Sequence, residues 1–106
     1  MRYFIYISYL GTNYHGWQVQ ENALSIQQIL NKSLSKILKE DIKTVGAGRT
    51  DTGVHALNQV AHFDFNQVLD NNDFLYKINS ILPNDISVNK IIKVQDDFHA
   101  RFDAVE

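Results

Sequence analysis

Cysteine is absent from the 106 residues, which rules out disulfides and thiolate metal sites and is compatible with a reducing compartment. Proline occurs once, as Pro83. No linker composition, internal repeat or low-complexity segment divides the chain, so one domain over residues 1–106 is expected. No apolar run approaches the length of a membrane span, and the N-terminus lacks a signal-peptide layout. The expectation is a cytoplasmic protein without a membrane partner. Positive charge is also scarce: the net charge is −2, no advertisement for a polyanion. Its distribution says more, because residues 1–53 carry six Lys/Arg against four Asp/Glu and residues 54–106 carry four against eight. A polyanion would therefore favour surface made by the first half.

What is present is ordinary for a globular core, with 44% hydrophobic and 21% charged residues. Arg2 to Leu10 combines aromatic and β-branched residues and reads as a strand. Its apolar positions fall on both parities, as in a central strand covered on both faces. Its aromatics could stack bases, but core packing is the reading favoured here. A polar loop follows over residues 11–22, in which Trp17 either anchors the loop to the core or meets a base. Ser25 then opens a helix, with Gln28 as capping-box partner. Ile26, Ile29, Leu30, Leu34, Ile37 and Leu38 form its buried stripe, and Lys32, Lys36 and Lys39 its solvated side.

Ile42 to Gly46 reads as a short strand and His55 to Phe65 as a longer one. A second helix is expected from Asp70 or Asn71 to Ile81, carrying Phe74, Leu75, Ile78 and Leu82 at helical spacing. Asp70 and Asp73 suit its positive N-terminal end, and Pro83 stops it. Ile86 to Val94 completes the order β-α-β-β-α-β. That order predicts an α+β ferredoxin-like sandwich, an antiparallel sheet with two helices on one face.

The chain has only five glycines, yet Gly46, Gly48 and Gly53 fall within eight residues. Glycine-rich loops permit tight turns and close backbone approach at an entropic cost. Between these glycines stand Arg49, Thr50, Asp51 and Thr52. A phosphate cradle does not fit, because Val54 and His55 replace the lysine and hydroxyl residue that should follow. A dinucleotide fingerprint fails because Asp51 occupies its third glycine position. A solvated turn, with Asp51 and Thr52 bonded to local backbone, stays open.

Other chemistry is easier to dismiss. The four histidines, His15, His55, His62 and His99, have no zinc-site spacing, so no metal is expected. Nothing marks a serine positioned for a Ser-His-Asp arrangement. Asp51 beside Arg49 would stay ionised and could act as nucleophile or base at a sugar carbon or an electron-poor ring. Glycoside hydrolysis normally needs two carboxylates, and this loop has one. That favours chemistry in which a base leaves its sugar and is recaptured.

The string Gly48-Arg49-Thr50-Asp51-Thr52-Gly53-Val54-His55-Ala56 resembles the catalytic motif of the tRNA pseudouridine synthase A family. Tyr9 to Gln18, Ser25-Ile26-Gln27, Leu82-Pro83-Asn84-Asp85-Ile86 and Asp97 to Phe102 resemble further segments of the family's N-terminal half, in the right order. The resemblance implies that Asp51 is the catalytic aspartate and that uridines 38 to 40 of the tRNA anticodon arm are the substrates. It implies a homodimer that uses neither cofactor nor metal. Attack on ribose and attack on base both stay open. The target must leave its stack, so Arg49 becomes the candidate for filling the vacated space or contacting a phosphate. Thr50 and His55 would shape the loop, and His99 and Arg101 are candidate RNA contacts. A structural pairing of the last two with Asp96, Asp97 or Asp103 is the alternative.

The sequence reaches Glu106 before the tyrosine-containing and basic segments of the family's second half. The expectation is a domain able to fold but weak or inactive alone. The rival reading is a non-catalytic RNA-binding module, since RNA-recognition motifs share this element order. Their aromatic signature is missing from Ala56 to Phe63. A purely structural interaction domain would leave the charged glycine loop unexplained.

Overall fold

The computed structural model describes residues 1–10, 14, 16–17, 25–46 and 56–99. Its elements are β1 (Arg2–Tyr9), α1 (Ile26–Leu38), β2 (Val45–Gly46), β3 (Ala56–Asp64), α2 (Asn71–Ile81) and β4 (Ile86–Val94). The strands form one antiparallel sheet in the order β2-β3-β1-β4. This is the expected α+β ferredoxin-like arrangement, with the most apolar strand, β1, in the interior of the sheet.

Strand periodicity sorts β1 onto two faces. Tyr3, Ile5, Ile7 and Tyr9 join Ile26, Leu30 and Leu34 of α1 and Phe74 and Ile78 of α2 in the main core. Both helices therefore cover that face. Phe4 and Tyr6 point the other way and form a second cluster with Val60, against which Ile92, Val94 and Phe98 pack. The two clusters explain why β1 is apolar on both parities. A sheet covered on one side only would have alternated.

The helix ends follow their capping residues. The Ser25 hydroxyl accepts the Gln28 N–H at 3.2 Å, and the Asp70 carboxylate accepts the Asp73 N–H at 3.0 Å, each satisfying a donor that the helix cannot. Helix α1 ends at Lys39, in the left-handed conformation (φ 59°), whose N–H donates to the Ser35 carbonyl. Strand β2 is shorter than the expected Ile42 to Gly46. The backbone N–H groups of Ile42 and Thr44 donate to the side chains of Ser35 and Asn31 on α1. These donors are thus spent on the helix, and among the described residues of this stretch Val45 and Gly46 alone pair with β3.

Candidate active site

Strand β2 is described as far as Gly46, and β3 from Ala56. Arg49, Thr50, Asp51, His55 and Arg101, all singled out from the sequence, lie outside the described residues; His99 lies within them. The described residues nevertheless define the frame around the 47–55 segment. Ala56 is the cross-strand partner of Tyr9 at the end of β1, and Tyr9 is also paired with Ile86 at the start of β4. One end of the sheet thus gathers the entry to β3, the exit of β1 and the entry to β4.

Residues between β1 and α1 pack against the sheet and its β2 edge. Trp17 is only 2% exposed and belongs to the main core, so it anchors its loop. Its indole lies directly over Gly46: a Cβ there would stand 2.3 Å from Nε1, 2.8 Å from Cε2 and 3.2 Å from Cδ1. Only a residue without a side chain allows that approach. The carbonyls of Gly16 and Trp17 accept the N–H groups of Ile26 and Gln27 at 3.1 and 2.8 Å. They thereby satisfy donors at the start of α1 and fix the indole relative to the helix. Gly16 has φ 79°, a conformation that favours glycine.

Helix α1 also holds the approach to Gly46 directly. Gln27 Nε2 donates to the Thr44 carbonyl at 2.6 Å. Asn31 Oδ1 accepts the Thr44 N–H at 2.9 Å and its hydroxyl at 2.6 Å. Thr44 is buried, and these bonds satisfy its backbone and side chain together. Across the same end of the sheet, the Tyr14 hydroxyl donates to the Asp85 carboxylate at 2.6 Å. Burial and then the neighbouring Asp85 carboxylate push the Tyr14 hydroxyl pKa upward. The Asp85 carbonyl accepts the Leu10 N–H at 2.9 Å, which joins the exit of β1 to the turn before β4.

The sheet face opposite α1 and α2 carries a second polar cluster. The Arg2 guanidinium forks onto Asp64, Nε to Oδ1 at 2.8 Å and Nη2 to Oδ2 at 3.0 Å, while Nη1 donates to the Phe98 carbonyl at 2.8 Å. His62, 4% exposed, lies beside Phe4, with ring centroids 6.4 Å apart, and packs edge to face with His99 at a centroid separation of 4.7 Å. Burial, followed by the Arg2 and His99 charges, lowers the His62 pKa to about 4, against a smaller opposing effect of Asp64. His62 is the cross-strand partner of Val45, so the His62–His99 contact lies on the residue opposite the first residue of β2. His99 is half-buried there. Hydrogen bonding from Arg2 holds the Asp64 carboxyl below its usual range.

The aromatics of β1 are core residues. Phe4 and Tyr6, on the face an RNA-recognition motif would use, are 2% and 4% exposed, which leaves no ring face open for base stacking. Among the described residues, no three His, Cys, Asp or Glu are grouped to hold a metal ion, and no helix is long and apolar enough to cross a membrane. The supporting residues Gln27, Asn31, Thr44, Tyr14 and Asp85 were not recognised as such in the sequence. Tyr14, Gln27 and Asp85 do stand in the family-like segments quoted above. Asn31 carries no signal, because its partner is thirteen residues away.

A family model described as tRNA pseudouridine synthase matches residues 5–103. A tRNA pseudouridine synthase A of Bacteroides thetaiotaomicron is 56% identical over 103 residues, 97% of this chain and 38% of the relative. That of Bacteroides fragilis is 55% identical over 104 residues, covering 97% and 41%. That of Colwellia psychrerythraea is 51% identical over 104 residues, covering 98% and 40%. The chain therefore spans about two fifths of the length of these curated relatives.

Proposed function

Because the chain belongs to the tRNA pseudouridine synthase family, we propose that the protein carrying it isomerises uridine to pseudouridine in tRNA, with Asp51 as the catalytic carboxylate. The observation that carries the reading is the Gly48-to-Ala56 string, with its single carboxylate beside a guanidinium. Support comes from both ends of the segment that contains it. Gly46 is braced by Trp17, and Ala56 is paired with Tyr9. Rigid anchorage of a short polar segment is what a reaction dependent on positioning requires.

In the proposed reaction the N1–C1′ bond of the target uridine breaks while Asp51 engages the nucleotide, at either ribose or base. The freed uracil turns, and its C5 bonds to C1′. C5 then loses its hydrogen as a proton, and N1 carries one, so the product is an isomer of the substrate. An ionised Asp51 beside Arg49 suits either mode of attack. Arg49 would fill the space vacated by the extruded nucleotide or contact a phosphate, with Thr50 and His55 shaping the loop. His99 and Arg101 would contact RNA. Uridines 38 to 40 of the anticodon arm, a homodimeric assembly and action in the cytoplasm complete the proposal; no cofactor is required by this chemistry.

The test is tritium release from tRNA labelled at uridine C5, using the full open reading frame that contains this sequence. Release by the parent and its loss in Asp51→Asn supports the reading. Equal release by both removes Asp51 from the role. A parent that binds tRNA and releases nothing points instead to an RNA-binding module.

A further inference from the structure

We infer that Trp17 is a positioning residue for the reaction, acting through Gly46 on the direction in which β2 delivers the chain to the 47–55 segment. This inference deepens the function proposed above and rests on it. Three observations converge on it. The indole occupies the space that a side chain at Gly46 would need, with atoms 2.3 to 3.2 Å from that missing Cβ. The indole is itself fixed, being 2% exposed and in the core cluster, with the Trp17 carbonyl bound to the first turn of α1. That same turn also holds the residue leading into β2, through Gln27 Nε2 and the Thr44 carbonyl.

The arrangement is a closed mechanical loop. Helix α1 holds the Trp17 backbone; the Trp17 ring backs Gly46; Gln27 and Asn31 of α1 hold Thr44, two residues before Gly46. Among the described residues, β2 pairs with β3 at Val45 and Gly46 alone, so the cross-strand hydrogen bonds seen there supply little of its orientation. A ring in van der Waals contact with the strand backbone supplies the missing restraint, because packed interiors resist displacement even at sub-ångström scale. Reaction rates that depend on near-attack geometry fall steeply with small misplacement. A shift at Gly46 should accordingly reach the chemical step more than the binding step.

The experiment uses the full open reading frame containing this sequence and measures single-turnover tritium release, tRNA affinity and thermal unfolding for four proteins. They are the parent, Gly46→Ala, Trp17→Leu and the double variant. Gly46→Ala forces the indole aside, and Trp17→Leu removes most of the ring that it meets. The expected result is a fall of tenfold or more in the single-turnover rate of Gly46→Ala, with tRNA affinity within about twofold of the parent. In the Trp17→Leu background, the same alanine should cost less than threefold, since the clash is gone. Should Gly46→Ala fail to fold, Trp17→Leu alone decides, again by a rate loss at unchanged affinity. A parental rate in either single variant overturns the inference, as does a parallel fall of rate, affinity and melting temperature, which marks a merely structural contact. Failure of the underlying reading looks different: the parent itself then releases no tritium.

Discussion

Asn31 accepts two hydrogen bonds from Thr44 through one oxygen, at 2.9 Å from the backbone N–H and 2.6 Å from the hydroxyl. A helix side chain thereby does for the 42–44 segment what a neighbouring strand would otherwise do. Thr44 is 3% exposed, so water cannot readily replace the lost partner. Asn31→Ala should destabilise the protein by about 1–3 kcal/mol, the penalty of orphaned buried donors. Chemical denaturation should show it as a lower midpoint at unchanged slope. A midpoint equal to the parent's would mean that these bonds are replaced at no cost.

The two helix N-caps invite a comparison. Ser25 is fully buried and Asp70 is exposed, although each accepts one N–H three residues on. Replacing a cap by alanine costs roughly 0.5–2 kcal/mol. Ser25→Ala should lie toward the upper end and Asp70→Ala toward the lower, because solvent can hydrate the exposed donor. Thermal melts of the two variants side by side would reveal the order.

Arg2 ties three parts of the chain together at once: its own strand, Asp64 at the end of β3, and the carbonyl of Phe98. The Asp64 side chain is largely solvated, which keeps the energetic value of the ion pair small. The carbonyl bond matters more locally. In Arg2→Met, hydrogen exchange should accelerate at the Phe98 amide, which donates to Gln95. The amide of Ile5, deep in the sheet, should keep the parent's protection.

His62 gives the fold a pH dependence of predictable sign. Burial first, then the neighbouring Arg2 and His99, lowers its pKa from the ordinary 6.5 to about 4 in the folded chain. Between these values the unfolded chain binds the proton and the folded chain resists it, so stability falls as pH drops. The contribution is complete above about pH 6.5 and is lost as pH falls through about 4. Melting temperature should decline across this window in the parent and decline less in His62→Gln, which does not titrate. Equal declines would assign the effect to other groups, the Asp64 carboxylate among them, whose lowered pKa acts in the same direction at more acid pH.

Much of the architecture was legible because its causes are local. Helical spacing from Ile26 to Leu38, the cap at Ser25, the acidic start of α2 at Asp70 and Asp73, and the stop at Pro83 depend on near neighbours, and all stand where the sequence places them. The two-sided apolar pattern of β1 similarly marked a strand with both faces packed. The family could also be read from the sequence, since the Gly48-to-Ala56 string and its companion segments are contiguous.

Tertiary structure decided whatever depends on distant partners. Nothing near Ile42 or Thr44 in sequence reveals that Ser35 and Asn31 claim their backbone N–H groups, so the expected strand from Ile42 shortened to Val45–Gly46. Trp17 had two readings by residue type, core anchor and base contact, and burial selected the first. The role of Gly46 is subtler still. Its sequence context offers tight turns or close backbone approach without saying what approaches, whereas in the fold the lack of a side chain makes room for an indole 29 positions earlier. Sequence fixes which side chains exist and their local preferences; only packing in three dimensions determines which of them must share the same space.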